Sequence, residues 1–282
     1  MPTTPSPLRY PGGKTKLYNY VRKILEVNDL LGETYIEPFA GGAGLALKLL
    51  LNGDVRRILI NDYDPAIYCF WNCVLNQTAA LCELIDNSDI SVDTWRIQKD
   101  IYEQQNADDE LSLGFATLYL NRTNVSGVIK GGLIGGLGQN GTYGMDARFN
   151  KVSLIKKIET VASKRDSIVL SNMDAFDFIS VEHLKHYYKT FINFDPPYVN
   201  KGSQLYQNSF TENDHIRLSE MIAGCHRKWI VTYDVCPLVA ELYSSFRRSE
   251  LDITYSVNRT RRASEYIFFS PNLTLPDDII VN

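Results

Sequence analysis

Hydrophobic positions along the chain follow two different periods, and the change from one to the other predicts the elements. Apolar side chains recur at helical spacing from Lys14 to about Leu31. Two short β-prone runs follow at 34–36 and 57–60, with a glycine turn and an apolar helix from Leu45 to Leu51 between them. The second run closes on Asn61-Asp62. A strand, a glycine turn, a helix and a second strand are typical of the opening of a parallel α/β sheet.

The strand pattern stops at residue 65 and returns only near residue 167. In between, helices are predicted at 66–75, 79–85, 92–102, 111–120 and 152–162. The later strands are predicted at 167–170, 191–194, 229–232, 251–257 and 266–269. We therefore predict an α/β domain formed by residues 1–64 and 165–282, with a mostly helical insert at 65–164.

Charge is distributed unevenly within this insert. The whole chain has 29 basic and 33 acidic residues, a net charge of −4, which excludes a protein that coats nucleic acid by charge alone. Residues 130–165 nevertheless carry seven basic residues against two acidic ones, and seven of the fourteen residues at 131–144 are glycine. Because glycine lets a backbone approach a polyanion closely, this half is the better candidate for contact with DNA, through Lys130, Arg148 and Lys151.

Composition and cysteine usage limit where the protein acts. No apolar run approaches the ~20 residues that span a bilayer, and the N-terminal residues lack the apolar core of a signal peptide. The five cysteines form no CxxC pair, as expected in a reducing compartment. We expect a cytoplasmic protein that does not contact membranes.

The most informative motif is Asp195-Pro196-Pro197-Tyr198, directly after a predicted strand. Two consecutive prolines fix φ and remove two N–H donors. Asp195 and the Pro196 carbonyl therefore form a rigid cluster of acceptors at the carboxyl edge of the sheet, with the aromatic ring of Tyr198 beside it. Such a cluster suits a flat amino group that has two N–H donors.

A second motif, residues 37–44 (EPFAGGAG), forms a strand-to-helix turn suited to close approach of a ligand. Asp62 ends the next strand, where an acid commonly holds ribose hydroxyls. A dinucleotide fingerprint starting at Gly42 would need glycine where Leu47 stands, so these residues indicate a nucleotide-like cofactor and leave NAD open.

Other chemistries are disfavoured. Gly13-Lys14-Thr15 ends like a phosphate-binding loop, but Leu8 occupies the position of its first glycine and no strand precedes it. The histidines and cysteines lack metal-ligand spacing, so no metal is expected. Cys236-Pro237 has the reverse order of the Pro-Cys pair of cytosine C5 methylation, so covalent catalysis is unsupported.

Three motifs in one order, YPGGK at 10–14, EPFAGGAG at 37–44 and DPPY at 195–198, resemble the Dam-like DNA adenine methylase family. The stretches FATLYLNR, ARFNK, NMDAF and NSFTENDHIRLSEMI agree with it, and the resemblance covers about residues 7–270. It implies a Rossmann-like methyltransferase sheet with helices on both faces. It also implies that the insert is a target-recognition domain, although the 131–144 segment departs from the enzymes that methylate GATC.

The resemblance assigns roles residue by residue. It implies catalysis by Asp195, Pro196, Pro197 and Tyr198. It implies that S-adenosylmethionine is bound by Tyr10, Lys14, Glu37, Phe39, Gly41, Gly44, Asp62, Asp174 and Asp195. It places Arg122 and Asn124 in the stretch that contacts DNA, and we expect these two side chains to lie closer to base edges than the lysines do.

The expected activity is methyl transfer from S-adenosylmethionine to the N6 amine of adenine in double-stranded DNA, after the base leaves the stack. Cytosine N4 fits the same acceptors, and a catalytically silent DNA sensor is a further alternative that the intact DPPY disfavours. A restriction endonuclease or defence system is compatible with such an enzyme. The sequence determines neither the target site nor the oligomeric state.

Overall fold

The structure, a computed structural model, describes residues 4–10, 13–180, 184–199, 210–257 and 259–279, with the backbone alone between 252 and 263. The strands are β1 (Thr34–Glu37), β2 (Arg57–Asn61), β3 (Ile168–Ser171), β4 (Thr190–Phe194), β5 (Lys228–Asp234), β6 (Arg247–Val257) and β7 (Arg259–Phe269). All seven predicted strands are confirmed.

The helices fill the intervals between the strands. They are α1 (Tyr18–Val27), α2 (Gly44–Leu51), α3 (Pro65–Asn76), α4 (Thr78–Asn87), α5 (Val92–Gln104), α6 (Glu110–Thr123), α7 (Lys151–Ala162), α8 (Ala175–Ile179), α9 (Glu212–Ala223) and α10 (Pro237–Leu242). A 3-10 turn, Lys14–Leu17, precedes α1, which therefore begins four residues later than its periodicity predicts.

Periodicity did not predict α8, α9 and α10. The first and last have five and six residues, too few to show a helical period. Helix α9 buries His215, Leu218, Ser219 and Ile222 at helical spacing, and two of these four are polar, so the apolar stripe is hidden. Its start is fixed by a capping box between Thr211 and Asp214.

The strands form one sheet in the order β3-β2-β1-β4-β5-β7-β6. Pairs from β3 through β5 are parallel, and β7 is antiparallel to both of its neighbours. The chain order reverses between β1 and β4, and ligands of open α/β sheets bind outside the carboxyl ends of the strands at such a point. This topology and the helices described below confirm the predicted α/β class.

Each face of the sheet buries its own hydrophobic core. Side chains alternate between the two faces, so that Phe191 and Ile230 belong to one core and Ile192 and Val231 to the other. Helices α1 to α7 contribute to the first core, and α8, α9 and α10 to the second. Across the described residues, none of the helices has both the length and the apolar character that crossing a bilayer requires.

Helix α6 is buried on every side, since all residues from 113 to 123 are shielded from solvent. Its Asn121 holds the N-terminal segment through both peptide groups of Arg9: Arg9 N donates to Oδ1 at 2.7 Å, and Nδ2 donates to Arg9 O at 2.9 Å. Nδ2 also donates to Gly127 O at 2.8 Å. The helical insert is thus joined by hydrogen bonds to the segment that leads to Tyr10 and Lys14.

Replacing Asn121 with alanine should lower the free energy of unfolding by about 2–4 kcal/mol, because the change leaves buried peptide groups without partners. Urea unfolding measures the loss. Asn76→Ala, on the exposed side of α3, is the matched control and should change stability by less than about 0.5 kcal/mol. Equal effects of the two substitutions would contradict the role of Asn121.

Candidate active site

Carboxylates collect at the carboxyl edge of the sheet, around the point where the strand order reverses. Glu37 is the last residue of β1, Asp62 follows β2, and Asp195 follows β4. Neighbouring parallel strands end at the same edge, so the topology alone brings these three acids together.

The glycine turn after β1 admits the N-terminal segment. A Cβ built on Gly41, whose φ is +47°, would lie 2.5 Å from the ring of Tyr10, and one on Gly44 would lie 2.4 Å from Thr15 Oγ1. Trp71 Nε1 of α3 donates to Gly41 O at 2.8 Å and fixes the turn from the other side. Glycine is therefore needed here so that Tyr10 and Lys14 can reach the sheet edge.

Asp62 closes the same turn. Its Oδ2 accepts from Gly41 N at 2.7 Å and its Oδ1 from Asp64 N at 3.0 Å. Burial raises the pKa of Asp62 to about 7, and the nearby Asp64 carboxylate adds to the rise. The side chain is half-buried, so it can still accept from a ligand bound over the turn.

Glu37 is more deeply placed. Tyr35 Oη donates to Glu37 Oε1 at 3.0 Å, and the side chain is 5% exposed. Burial raises the pKa of Glu37 to about 8, with Asp195 contributing to the rise. The carboxyl is therefore mostly protonated at neutral pH and provides a neutral hydrogen-bonding group behind the glycine turn.

Three aromatic rings and an exposed acid lie around the start of α8. Phe39, in the glycine motif, meets Phe210 edge-on at 5.8 Å, and Phe210 stacks with Phe176 at 6.1 Å. Asp174 caps α8 by accepting from Phe176 N at 2.8 Å and remains exposed. Rings beside an exposed carboxylate suit a flat heterocycle that carries an amino group.

The DPPY segment is organised around one ammonium group. Lys14 Nζ lies 2.8 Å from Asp195 Oδ1, 2.6 Å from Tyr198 Oη and 3.5 Å from Glu265 Oε2. Tyr198 Oη donates to Glu265 Oε1. We call Lys14, Asp195, Tyr198 and Glu265 the Lys14 cluster.

A fifth side chain fixes the orientation of the Asp195 carboxylate. Thr232 Oγ1 of β5 donates to the same Oδ1 atom at 2.8 Å. The Tyr198 ring is 6% exposed and the Pro196 ring is buried. The Tyr198 ring is thus enclosed in this structure, and its hydroxyl bonds to Lys14 and Glu265.

Sequence reasoning missed Glu265, which is 1% exposed on β7. Burial raises the pKa of its carboxyl, Asp195 adds to the rise, and Lys14 opposes it. A signal was present: in the run SEYIFF the glutamate stands in phase with the buried Ile267 and Phe269. A charged residue at an inward position of a strand needs a buried partner, which here is Lys14.

Two expected DNA contacts are corrected by the structure. Asn124 is 0% exposed: its Oδ1 accepts from Trp95 Nε1 at 2.7 Å, and its Nδ2 donates to Ile129 O at 2.7 Å. Arg122 is 9% exposed and donates to Pro7 O through Nε at 2.6 Å and also through Nη2. Both side chains belong to the buried end of α6, so they support the N-terminal segment and do not reach base edges here.

The basic residues of the 130–165 half differ in their availability. Lys130 and Arg148 are exposed, whereas Lys151 Nζ donates to Asp86 O at 2.7 Å and so caps the end of α4. Burial lowers the pKa of Arg122 to about 10, and the nearby cations Arg9 and Arg148 contribute to the shift. Arg9 Nη1 is buried and has no hydrogen-bond partner among the described residues. Arg9, Arg122 and Arg148 thus form a concentrated positive region.

An open α/β sheet with an acceptor cluster after β4 and a glycine turn after β1 defines a nucleotide-cofactor enzyme that acts on an amino group. Residues 10–257 match the model of the D12 class N6 adenine-specific DNA methyltransferases. The chain belongs to this family. It therefore methylates the N6 amine of adenine in DNA with S-adenosylmethionine, and the N4-cytosine alternative is disfavoured.

Two curated relatives are type II methyltransferases. The chain is 24% identical to the type II methyltransferase M.MjaIII of Methanocaldococcus jannaschii, over 76% of this chain and 77% of that protein. It is 24% identical to the type II methyltransferase M.CviBI of Paramecium bursaria Chlorella virus NC1A, over 79% and 81%. Among solved structures, the rRNA methyltransferase aviRa from Streptomyces viridochromogenes is 13% identical over 92% of this chain and 85% of that one, with a TM-score of 0.37.

The residues at the sheet edge fit S-adenosylmethionine. The cofactor has ribose hydroxyls, two amino groups and a positive sulfur, so it requires acceptors and negative charge. The half-buried Asp62, the exposed Asp174 and the aromatic ring of Phe39 provide these. The individual cofactor contacts of all nine residues stay predictions: Tyr10, Lys14, Glu37, Phe39, Gly41, Gly44, Asp62, Asp174 and Asp195.

The affinity for S-adenosylmethionine should rise about tenfold between pH 6 and pH 8, because the ionised form of Asp62 is the better acceptor and its pKa is about 7. Calorimetric titration at several pH values measures this, and Asp62→Asn should remove the dependence. The same rise in the asparagine variant would assign the titration to another group, with Glu37 as the first candidate.

Proposed function

We propose that the chain methylates adenine within one short sequence of double-stranded DNA, after the target base has turned out of the duplex. The Lys14 cluster is the observation that supports this most strongly. An adenine amine cannot reach the edge of this sheet while the base is stacked. A rigid carboxylate at the end of β4 is placed to receive it once the base has left the stack.

Asp195 would hold the amine through its second oxygen. Lys14 and Thr232 both contact Oδ1, and no side chain in the described part of the protein donates to Oδ2. Oδ2 and the Pro196 carbonyl can therefore accept the two N–H bonds of the target amine. This orientation directs the lone pair of the nitrogen out of the plane of the base, toward the cofactor side of the edge.

The remaining chemistry concerns the positive charge and the proton on the amine nitrogen. When bound, S-adenosylmethionine would supply a methyl group on a positively charged sulfur; the bond between that carbon and the sulfur would break and leave its electron pair on the sulfur, which departs as a neutral thioether. As the new C–N bond forms, the amine nitrogen becomes positive, and the Asp195 carboxylate stabilises that charge and accepts the proton that the nitrogen releases. Lys14 Nζ, which lies 2.8 Å from Oδ1, holds the first oxygen of the carboxylate while the second faces the amine.

Asp195→Ala should lower turnover about 10²-fold or more and should change the affinity for S-adenosylmethionine by less than about threefold, because the carboxylate mainly positions the amine. Methyl transfer to an adenine-containing duplex and calorimetry measure the two effects. Asp177→Ala, an exposed acid on α8, is the control and should retain full turnover. Turnover near wild type in Asp195→Ala would refute this assignment.

We propose the predicted division into domains as well: residues 65–164 recognise the target, and residues 1–64 with 165–282 carry out the transfer. Lys130 and Arg148 are exposed in this insert, and its glycine tract presents Leu137 and Tyr143, which are 60% and 66% exposed. Exposed apolar side chains beside cations suit a surface that contacts both bases and phosphates.

Arg9 extends this surface to the N-terminal segment. It is half-buried, one of its guanidinium nitrogens has no partner within the described residues, and Arg148 lowers the pKa of its side chain together with burial. Bringing these cations together is unfavourable unless an anion binds there. The DNA backbone supplies such an anion.

Arg148→Ala and Lys130→Ala should each weaken binding to target and non-target duplexes alike, and each should reduce the slope of log K against log salt concentration by about one unit. Binding titrations at four salt concentrations measure the slope. Lys99→Ala is the control, since Lys99 is exposed on α5 and pairs with Glu103 at 3.6 Å. An unchanged slope in both variants would place the DNA surface elsewhere.

The likeness to type II methyltransferases supports a role in restriction and modification. We propose that methylation by this chain protects DNA from a restriction endonuclease of the same specificity, in the cytoplasm where cellular DNA is reached. DNA recovered from cells that express the chain should resist the endonuclease that cuts its target sequence.

A further inference from the structure

Glu265 is brought to the catalytic edge by the reversed direction of β7. Because β7 is antiparallel to β5, the register pairs Glu265 with Asp234, the last residue of β5. The glutamate thus lies at the same edge as the carboxyl ends of the parallel strands, near Asp195. Its register partner on β6 is Leu251, which carries no charge.

The side chain of Glu265 contacts residues of both the DPPY and the YPGGK motifs. Oε1 accepts the hydroxyl of Tyr198, and Oε2 lies 3.5 Å from Lys14 Nζ. Lys14 in turn contacts Asp195 Oδ1 at 2.8 Å and Tyr198 Oη at 2.6 Å. The ammonium therefore stands between two carboxylates, and the tyrosine hydroxyl links it to the second of them.

A buried carboxylate in this place costs folding free energy unless it is paired. The Lys14 side chain is 4% exposed and that of Glu265 2%, so water screens their interaction weakly. With one positive charge between two negative ones, the position of the ammonium depends on the pull from both sides. Lys14 already lies 2.8 Å from Asp195 Oδ1, so removing the charge of Glu265 would release the ammonium on its other side and would change how the Asp195 carboxylate is held.

We propose that Glu265 is a positioning residue for methyl transfer: it holds the Lys14 ammonium and the Tyr198 hydroxyl so that Asp195 keeps the orientation in which Oδ2 meets the target amine. This inference rests on the proposed function. Glu265 acts through Lys14, not by touching the substrate.

Glu265→Gln tests this directly, because glutamine keeps the volume of the side chain and an acceptor for Tyr198 but removes the charge that holds Lys14. The value of kcat should fall about tenfold, while KM for the DNA duplex and for S-adenosylmethionine should stay within about threefold. Glu250→Gln is the matched control: Glu250 is exposed on β6, and we expect wild-type kcat.

A double-mutant cycle separates positioning from a general structural role. In the Lys14→Met background, Glu265→Gln should cause no further loss of kcat, since the group through which Glu265 acts is absent. The assay is mass-spectrometric detection of N6-methyladenine in an oligonucleotide duplex under single-turnover conditions. Glu265→Asp, which keeps the charge but withdraws it by one methylene, should also lower kcat with KM unchanged, and it replaces the glutamine variant if that protein does not fold.

Three results would overturn the inference: wild-type kcat in folded Glu265→Gln, an equal loss in both backgrounds, or a loss that appears only in KM. Failure of the proposed function is distinguished because it appears in the unmodified chain, which would then form no N6-methyladenine. In that case both proposals fall.

Discussion

One ammonium group at the edge of the sheet faces two carboxylates, and much of the structure is arranged to keep it there. Lys14 is 5% exposed, and Asp195 and Glu265 approach it from β4 and β7. Charges removed from water must be paired with good geometry, or the fold loses several kcal/mol. The pairing therefore determines where Lys14 must lie. Other contacts hold the residues from Thr4 to Arg9 that precede it.

The helical insert provides much of that hold. Asn121 binds both peptide groups of Arg9, Arg122 donates to Pro7 O, and Lys157 Nζ donates to Thr4 O at 2.8 Å. Five residues after Arg9 the chain reaches Lys14. The surface that we propose for DNA and the ammonium that holds Asp195 are thus close together in the chain. A substitution that displaces the insert should therefore also affect the catalytic edge, because the N-terminal segment is bound by the insert and leads to Lys14.

The sequence was sufficient to locate the strands and to predict that Asp62 and Asp195 lie at one edge of the sheet. Strand periodicity located all seven strands, and the acids Asp62 and Asp195 could be placed at one edge because parallel strands end together. The direction of β7 could not be inferred from its sequence, because antiparallel and parallel strands have the same period. For that reason the partner that β7 contributes, Glu265, was missed.

The burial of polar side chains was the second feature that could not be predicted from the sequence. Arg122 and Asn124 are polar residues at the end of a helix, which favours an exposed position when only the local sequence is considered. Helix α6 is instead surrounded by α3, α5 and the N-terminal segment, and the polar groups at its end are satisfied internally. Contacts between segments more than 100 residues apart, such as Asn121 with Arg9, leave no periodic signal in the sequence. Close approach of a ligand to the glycines at 41 and 44 stays a prediction, and in the structure Tyr10 and Thr15 lie against them.

Modified-base sequencing of DNA from cells that express the chain tests the central claim most directly, with Lys14→Met expressed in parallel. We predict N6-methyladenine at one recurring short sequence in the wild type and a strongly reduced but detectable level at the same sequence in Lys14→Met. Equal methylation by both proteins, or N4-methylcytosine in place of N6-methyladenine, would contradict the account.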